Sequence, residues 1–242
     1  MRILILSDIH ANLTALETVL TQAGKVDAVW CLGDLVGYGP DPNESVNLIR
    51  HLPNLSCILG NHDAATVGLI DVASFNIEAR QAIYWTQSQL SEGNKTFLKT
   101  LPEELIIDNV TLAHGSPRHP IWEYLLDTRS ATLSFGYFET PFCFVGHSHL
   151  PVAFELKEGS AGARLLIPVP EEELVLQPRT IINPGSVGQP RDRNPQAAYA
   201  LFDTETHIWI SSRVGYPIRE VQERMIAAGL PSRHIERLAG GW

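Results

Sequence analysis

Long apolar runs are missing from this chain. No stretch approaches the ~18 uninterrupted apolar residues of a membrane-spanning helix, and the apolar run after Met1 meets Asp8 too early for a secretory leader. Cysteine is scarce. Cys31, Cys57 and Cys143 each sit inside an apolar run, and an odd, unclustered set argues for buried thiols in a reducing compartment rather than disulfides. The chain is therefore expected to be soluble and cytoplasmic, with no membrane partner. Positive charge is also in short supply: 18 Lys and Arg face 27 Asp and Glu, a net −9, and the basic residues are scattered. A basic groove for a nucleic-acid polymer needs clustered cations to displace counterions, so none is expected. Small phosphorylated substrates stay open if metal ions supply the positive charge. No glycine-rich phosphate loop follows the first strand, which argues against a doubly wound nucleotide-binding domain. Low-complexity blocks, internal repeats and splitting linkers are absent as well.

What remains is a chain of 242 residues, 44% hydrophobic, long enough for a sizeable core. A single domain over 1–242 is expected, with 217–242 as a C-terminal helical appendage. Arg2 to Leu6 reads as a strand, Leu13, Leu16 and Leu20 as a helix capped by Asn12 and stopped at Gly24, and Ala28 to Leu32 as a second strand. This βαβ order implies a parallel pair. A helix opening at Asp41-Pro42 and a strand at Leu55 to Leu59 follow. Residues 75 to 101 read as helices through Ile77, Ile83, Tyr84 and Leu90, then Phe97, Leu98 and Leu101. Two short strands flank Asp108-Asn109, a helix spans Thr128 to Thr140, and a strand spans Pro141 to Val145. After residue 150, short alternating runs predict a largely antiparallel portion: Val152–Leu156, Arg164–Val169, Thr180–Ile182, Ala198–Phe202 and Ile208–Arg213. The tail from Pro217 reads as an amphipathic helix with Val221 and Met225 inward and Gly229 at its stop, then a last short element to Leu238.

The chemistry-bearing residues fall just past the apolar runs. Ser7-Asp8-Ile9-His10 follows the first strand, Gly33-Asp34 the second, Gly60-Asn61-His62-Asp63 the third; His114-Gly115 and Gly146-His147-Ser148-His149 follow two later ones. Asp8 and His10 are two apart, so in extended chain they aim the same way; His147 and His149 repeat the spacing. Any one of these reads as a turn former or a hydrogen-bonded core residue. Five of nine histidines at strand ends is different, because buried polar groups are costly without partners and divalent ions would be the partner. The donors suffice for two ions if one carboxylate is shared, the arrangement that clamps a phosphoryl displacement.

The ordered set Asp8-x-His10, Gly33-Asp34, Gly60-Asn61-His62-Asp63, His114 and Gly146-His147-x-His149 resembles the calcineurin-like metallophosphoesterase superfamily, over residues 2 to about 192. The lack of a large inserted cap is similar to its small prokaryotic phosphodiesterase branch. The resemblance implies an α/β fold with mixed sheets, a four-layer αββα sandwich. It implies that Asp8, His10 and His149 hold one metal, that Asn61, His114 and His147 hold a second, and that Asp34 bridges them. It further implies phosphodiester hydrolysis by in-line attack of a metal-bridging hydroxide, with His62 as general acid and Asp63 as the group that orients it. Mn, Fe, Co, Ni and Zn all suit such mixed donors. The expected partner is a small phosphorylated substrate, a nucleotide among the options. A phosphomonoesterase or dinucleoside polyphosphate hydrolase is the alternative; a non-catalytic scaffold would predict eroded ligand positions, and none of the seven is eroded.

Weaker signals surround this set. Asn12, Arg118 and Arg191 are candidate substrate contacts, against readings as helix cap, surface arginine and loop arginine. Gly185 and Gly188 read as turn glycines or as an anion-binding nest. Tyr38 reads as turn packing or as a base-stacking ring, and Trp30 and Cys31 as core.

Overall fold

The computed structural model covers residues 1–242. In chain order the strands are β1 (Arg2–Leu6), β2 (Ala28–Cys31), β3 (Leu55–Cys57), β4 (Glu104–Ile107), β5 (Val110–Ala113), β6 (Phe142–Phe144), β7 (Pro151–Glu155), β8 (Arg164–Leu166), β9 (Glu173–Val175), β10 (Thr180–Pro184), β11 (Ala197–Asp203) and β12 (Ile208–Val214). The helices are α1 (Leu13–Ala23), α2 (Pro42–Arg50), α3 (Asn61–Thr66), α4 (Ile77–Gln89), α5 (Glu92–Thr100), α6 (Thr128–Ser134), α7 (Ile218–Ala227) and α8 (Ser232–Gly240). Two six-stranded mixed sheets result, ordered β3-β2-β1-β11-β12-β9 and β4-β5-β6-β10-β7-β8. The β1–β2 and β2–β3 pairs are parallel and β1–β11 antiparallel, as a parallel start and an antiparallel second half require. No helix is long and apolar enough to cross a membrane.

Strand alternation sorts the core into layers. In β1, Ile3 and Ile5 join the cluster between the sheets, while Leu4 and Leu6 join the cluster under the helices. Trp30 and Val29 divide in the same way on β2, and Phe142 and Phe144 face the inter-sheet core while Cys143 faces outward on β6. A strand covered on both faces must be apolar at every position, which is why these runs are nearly unbroken in the sequence. The inter-sheet layer is aromatic: Phe144 lies 4.9 Å from Trp209 and 5.0 Å from Phe202, edge to face in both contacts. Outside it, α1, α2, α4, α5 and the α7–α8 pair cover one sheet, and α6 covers the other. This is the helix–sheet–sheet–helix layering.

Several expectations change in detail. Residues 61–66 form the short helix α3 where only a turn was expected, and β9 has too little alternation to be read. The helix predicted over 128–140 ends at Ser134, followed by a 3-10 turn. On α4, Ile77 and Tyr84 are exposed; Ile83 is buried as expected, and Ala79 and Ala82 complete the buried face. The three cysteines are free and buried. Val221 and Met225 of α7 pack inward, and the Arg224 guanidinium grips Asp41 with Nε at 2.9 Å and Nη2 at 2.8 Å, tying α7 to the start of α2. Phe144→Ala is expected to cost about 3–5 kcal/mol in urea unfolding, the range for a fully buried Phe; a loss below about 1 kcal/mol would contradict the inter-sheet packing.

Candidate metal centre

The ends of β1, β2, β5 and β6, together with the first turn of α3, converge on one buried cluster. Asp8, His10, Asp34, Asn61, His114, His147 and His149 are all buried. Histidine and aspartate donor atoms meet in three groups: Asp8 with His10 and His149, His10 with Asp34 and His62, and Asp34 with His114 and His147. Asn61 joins through its Oδ1, 3.1 Å from His114 Nε2. Asp34 is common to two groups. Its Oδ1 accepts from the His62 amide at 2.8 Å, whereas Oδ2 has no hydrogen-bond partner and lies 3.6 Å from His10 Nε2 and 3.3 Å from His114 Nε2.

The convergence is not produced by extended chain. Five of the seven candidate ligands, Asp8, His10, Asp34, His147 and His149, have φ between 49° and 64°. Left-handed backbone is uncommon for non-glycine residues and costs about 1–3 kcal/mol per residue. The two-residue spacings thus work through kinks at the strand ends rather than through pleat alternation. The kinks are braced from outside. Val187 and Gly188 amides donate to the Ser7 and Asp8 carbonyls at 3.0 and 2.9 Å, and Ser186 Oγ donates to the Asp8 carbonyl at 2.8 Å. Asn183 Nδ2 donates to the Gly146 carbonyl at 2.6 Å. The Asn183–Gly188 loop is therefore a splint for the β1 and β6 ends, and its Gly188 amide is not left over for an anion. At Gly60 a Cβ would collide with the Asp34 carboxylate, so only glycine lets α3 start there.

Ring orientation decides what the cluster can bind. His10 Nδ1 donates to the Val36 carbonyl at 3.1 Å and His149 Nδ1 to the Gln189 carbonyl at 2.5 Å. A carbonyl only accepts, so both protons sit on Nδ1. Burial depresses both imidazoles, His10 to about 3, so both rings are neutral. Their Nε2 lone pairs then face each other at 3.1 Å, with Asp8 Oδ1 at 3.3 Å from His149 Nε2. That is repulsive unless a cation is shared. His147 Nε2 is likewise buried without a partner. On His114, burial opposes charge but Asp34 outweighs it and raises the imidazole; on Asp34, burial likewise opposes charge but the facing His114 outweighs it and holds the carboxyl well below its usual range. A proton on His114 thus serves where a divalent ion would. Neutral Nε2 donors oriented by Nδ1–carbonyl bonds are the arrangement of metal-binding histidines. The donor set fits divalent cations of the Mn–Zn series.

The remaining candidates separate. His62 has no bond from its ring: Nδ1 is unpartnered, and the ring is walled by Tyr38 at 4.3 Å, His10 at 4.9 Å and Phe75 at 5.0 Å. Asp63 does not orient it. Its Oδ2 accepts from the Gly60 amide at 3.1 Å, the fold-back of a third-position helix carboxylate onto its cap, and its Oδ1 accepts from the Val36 amide of the loop after β2 at 3.0 Å. Burial, then Asp34, lifts Asp63 to about 7. Asn12 caps α1 through the Ala15 amide at 3.1 Å, and its amide group donates to the Gly188 carbonyl and Tyr216 Oη at 3.0 and 3.2 Å, so both its hydrogens are engaged within the fold. Arg118 is paired on both sides with Glu123 and carries no free charge toward the centre. Arg191 has no carboxylate partner and stands 5.8 Å over Tyr38, within the field of Asp8. Tyr38 is buried between His10, His62 and His234, so it lines the wall and offers no face to a base. Three neighbours were not legible in sequence: Tyr124, stacked 3.8 Å from His147, His234 and Arg237. Nitrogen-15 correlation spectra should show His10 and His149 as Nδ1-protonated tautomers; an Nε2-protonated ring at either position would contradict the donor geometry.

The model for the calcineurin-like phosphoesterase superfamily domain matches residues 1–207. An uncharacterised protein of Methanocaldococcus jannaschii is 39% identical across 98% of this chain and 96% of its own. The crystal structure of a metallophosphoesterase from Sphaerobacter thermophilus superposes with a TM-score of 0.92 at 46% identity, covering 100% of this chain and 99% of that one. A shorter likeness, 39% over 62 residues and 22% of its partner's length, is to a symmetrical bis(5'-nucleosyl)-tetraphosphatase of Baumannia cicadellinicola. With likeness running end to end in sequence and in fold, the chain belongs to the calcineurin-like phosphoesterase superfamily and is a metal-dependent phosphoester hydrolase.

Proposed function

We propose that the protein hydrolyses phosphodiester bonds of small substrates at a centre for two divalent ions. Asp8, His10 and His149 would hold one ion, Asn61, His114 and His147 the other, with Asp34 between them. The observation that carries this is Asp34 Oδ2, a buried carboxylate oxygen set between the two histidine groups, 3.6 Å from His10 Nε2 and 3.3 Å from His114 Nε2. Bound ions would supply Lewis acidity and lower the pKa of the attacking water. The chain supplies the rest. Asn61, a neutral donor, limits negative charge around its ion. His62, at the edge of the cluster with a free Nδ1, protonates the leaving oxygen. Burial holds His62 well below its ordinary value, and the charge of a bound phosphate restores its proton.

A second reading, hydrolysis of dinucleoside polyphosphates, is favoured by the rim. Tyr124 is 46% exposed while stacked on His147, and Trp122 is 38% exposed and 5.0 Å from Phe75, which touches His62. Such exposed rings suit a nucleobase. The likeness to the symmetrical tetraphosphatase supports the same class. Arg118, neutralised by Glu123, gives the phosphomonoester alternative no support. Turnover of matched diester, monoester and dinucleoside tetraphosphate substrates decides among them.

With Mn²⁺ and an aryl phosphodiester, His62→Ala is expected to lower kcat by about 10²–10⁴-fold, the size of a general-acid contribution. Unchanged kcat would remove His62 from the mechanism. In metal titrations Asp34→Asn should weaken both ions, and His149→Ala chiefly one; equal single-site losses in the two variants would count against the shared carboxylate. Chelation should lower the melting temperature, since ions at about 100 times Kd add about 2.7 kcal/mol to stability; an unchanged melting temperature would argue against a bound ion.

A further inference from the structure

Residues 208–242 lie beyond the family match, and they bring a second cation to the centre. The α7–α8 pair is held rigidly. Arg224 grips Asp41 and Thr14, Gln222 Nε2 donates to the Ile235 carbonyl at 2.7 Å, and Leu230 and Leu238 are buried in the helix-side core. This fixes Arg237 of α8 with its Nη1 3.3 Å from Gln189 Oε1. Arg191 Nη2 donates to the same oxygen at 3.1 Å. Two guanidinium groups therefore converge on one neutral acceptor.

That is an unfavourable arrangement as it stands. Neither arginine has a carboxylate within salt-bridge distance, although seven other basic side chains in this acidic protein do, from Lys95 to Arg233. The Nε of Arg191 and the Nε of Arg237 are both screened from solvent without a hydrogen-bond partner, as is Gln189 Nε2. Buried donors and like charges brought together need a compensating anion. The place is also specific. The Gln189 carbonyl takes the proton of His149 Nδ1, and Arg191 lies over Tyr38, which packs on His10 and His62. The pair is one residue removed from the candidate ligands.

We propose that Arg191, Arg237 and Gln189 form an anion subsite for a second phosphoryl group, so that the substrate carries two phosphates close together, as in a condensed phosphate chain or a bisphosphate. Guanidinium forks match phosphate oxygens two at a time, and the ions would take the phosphate being cleaved. This rests on the phosphoesterase reading and narrows its substrate class. The C-terminal helix pair is then a specificity element: it carries Arg237 and leaves the seven candidate ligands to the strand ends and the first turn of α3.

Calorimetry at fixed metal concentration separates one phosphate from two. Methylenebisphosphonate and methylphosphonate are the probes, against wild type, Arg237→Gln, Arg237→Lys and the control Arg233→Gln, which lies on the same helix and is exposed. Arg237→Gln should weaken methylenebisphosphonate by about tenfold or more, the scale of a charged hydrogen bond, with less than about threefold change for methylphosphonate. Arg237→Lys, with the charge kept and the fork lost, should fall between, which guards against a folding defect in the glutamine variant. Arg233→Gln should match wild type for both probes. Equal losses for both probes, no loss, or the same loss in Arg233→Gln would overturn the subsite. Absence of hydrolysis on every phosphoester, with this binding selectivity intact, would overturn the catalytic reading and leave the anion site standing.

Discussion

Two neutral imidazoles cannot rest with their Nε2 lone pairs pointed at each other, 3.1 Å apart and beside a carboxylate, unless a cation joins them. The rest of the structure is arranged around that requirement. The Nδ1 protons of His10 and His149 are fixed by backbone carbonyls of Val36 and Gln189, so neither ring can turn its proton inward. Those carbonyls are in turn fixed by loops whose conformation depends on the sheet ends. The folded chain concentrates acceptors where its own donors cannot reach, and it accepts the cost because an ion completes the shell.

The strain at the strand ends follows from the same need. Side chains of five separate segments must reach one point, and straight strands would send them past it. Left-handed kinks at Asp8, His10, Asp34, His147 and His149 turn them inward. Such kinks persist only when the surroundings over-determine them. The Asn183–Gly188 splint and the absence of side chains at Gly60 supply that determination, and the aromatic layer around Phe144 gives both sheets a stiff floor. Stability is therefore drawn from the core and spent at the rim, where the donors have to stay in place whether or not a substrate is bound.

Much of this was legible in the sequence, and the part that was not has a physical reason. The unbroken apolar runs of β1, β2 and β6 announce strands covered on both faces, and the polar residues that follow them mark where the donors emerge. The order of those motifs carries the resemblance that names the candidate donors, and the fold brings all seven together. Spacing could not show that Asp8 and His10 lie on left-handed backbone, because these residue types tolerate several conformations and tertiary bonds select one. The resemblance gave Asp63 to His62, but its carboxylate is taken by the Gly60 amide at the cap of α3 and by the Val36 amide in the loop after β2. Asn12 shows the opposite: the local rule for caps held. Nothing local distinguishes Arg237 or His234 from other polar residues of the tail; they meet the centre through long-range contacts, Arg237 with Gln189, 48 residues away in sequence, and His234 with Tyr38.

Anomalous diffraction from crystals grown with Mn²⁺ tests the central claim most directly. Two peaks about 3.5–4 Å apart are expected, the spacing of two-metal phosphoesterase sites, one beside Asp8, His10 and His149, the other beside Asn61, His114 and His147, with Asp34 next to both. A single peak, or two peaks of which one lies away from Asp34, would contradict it.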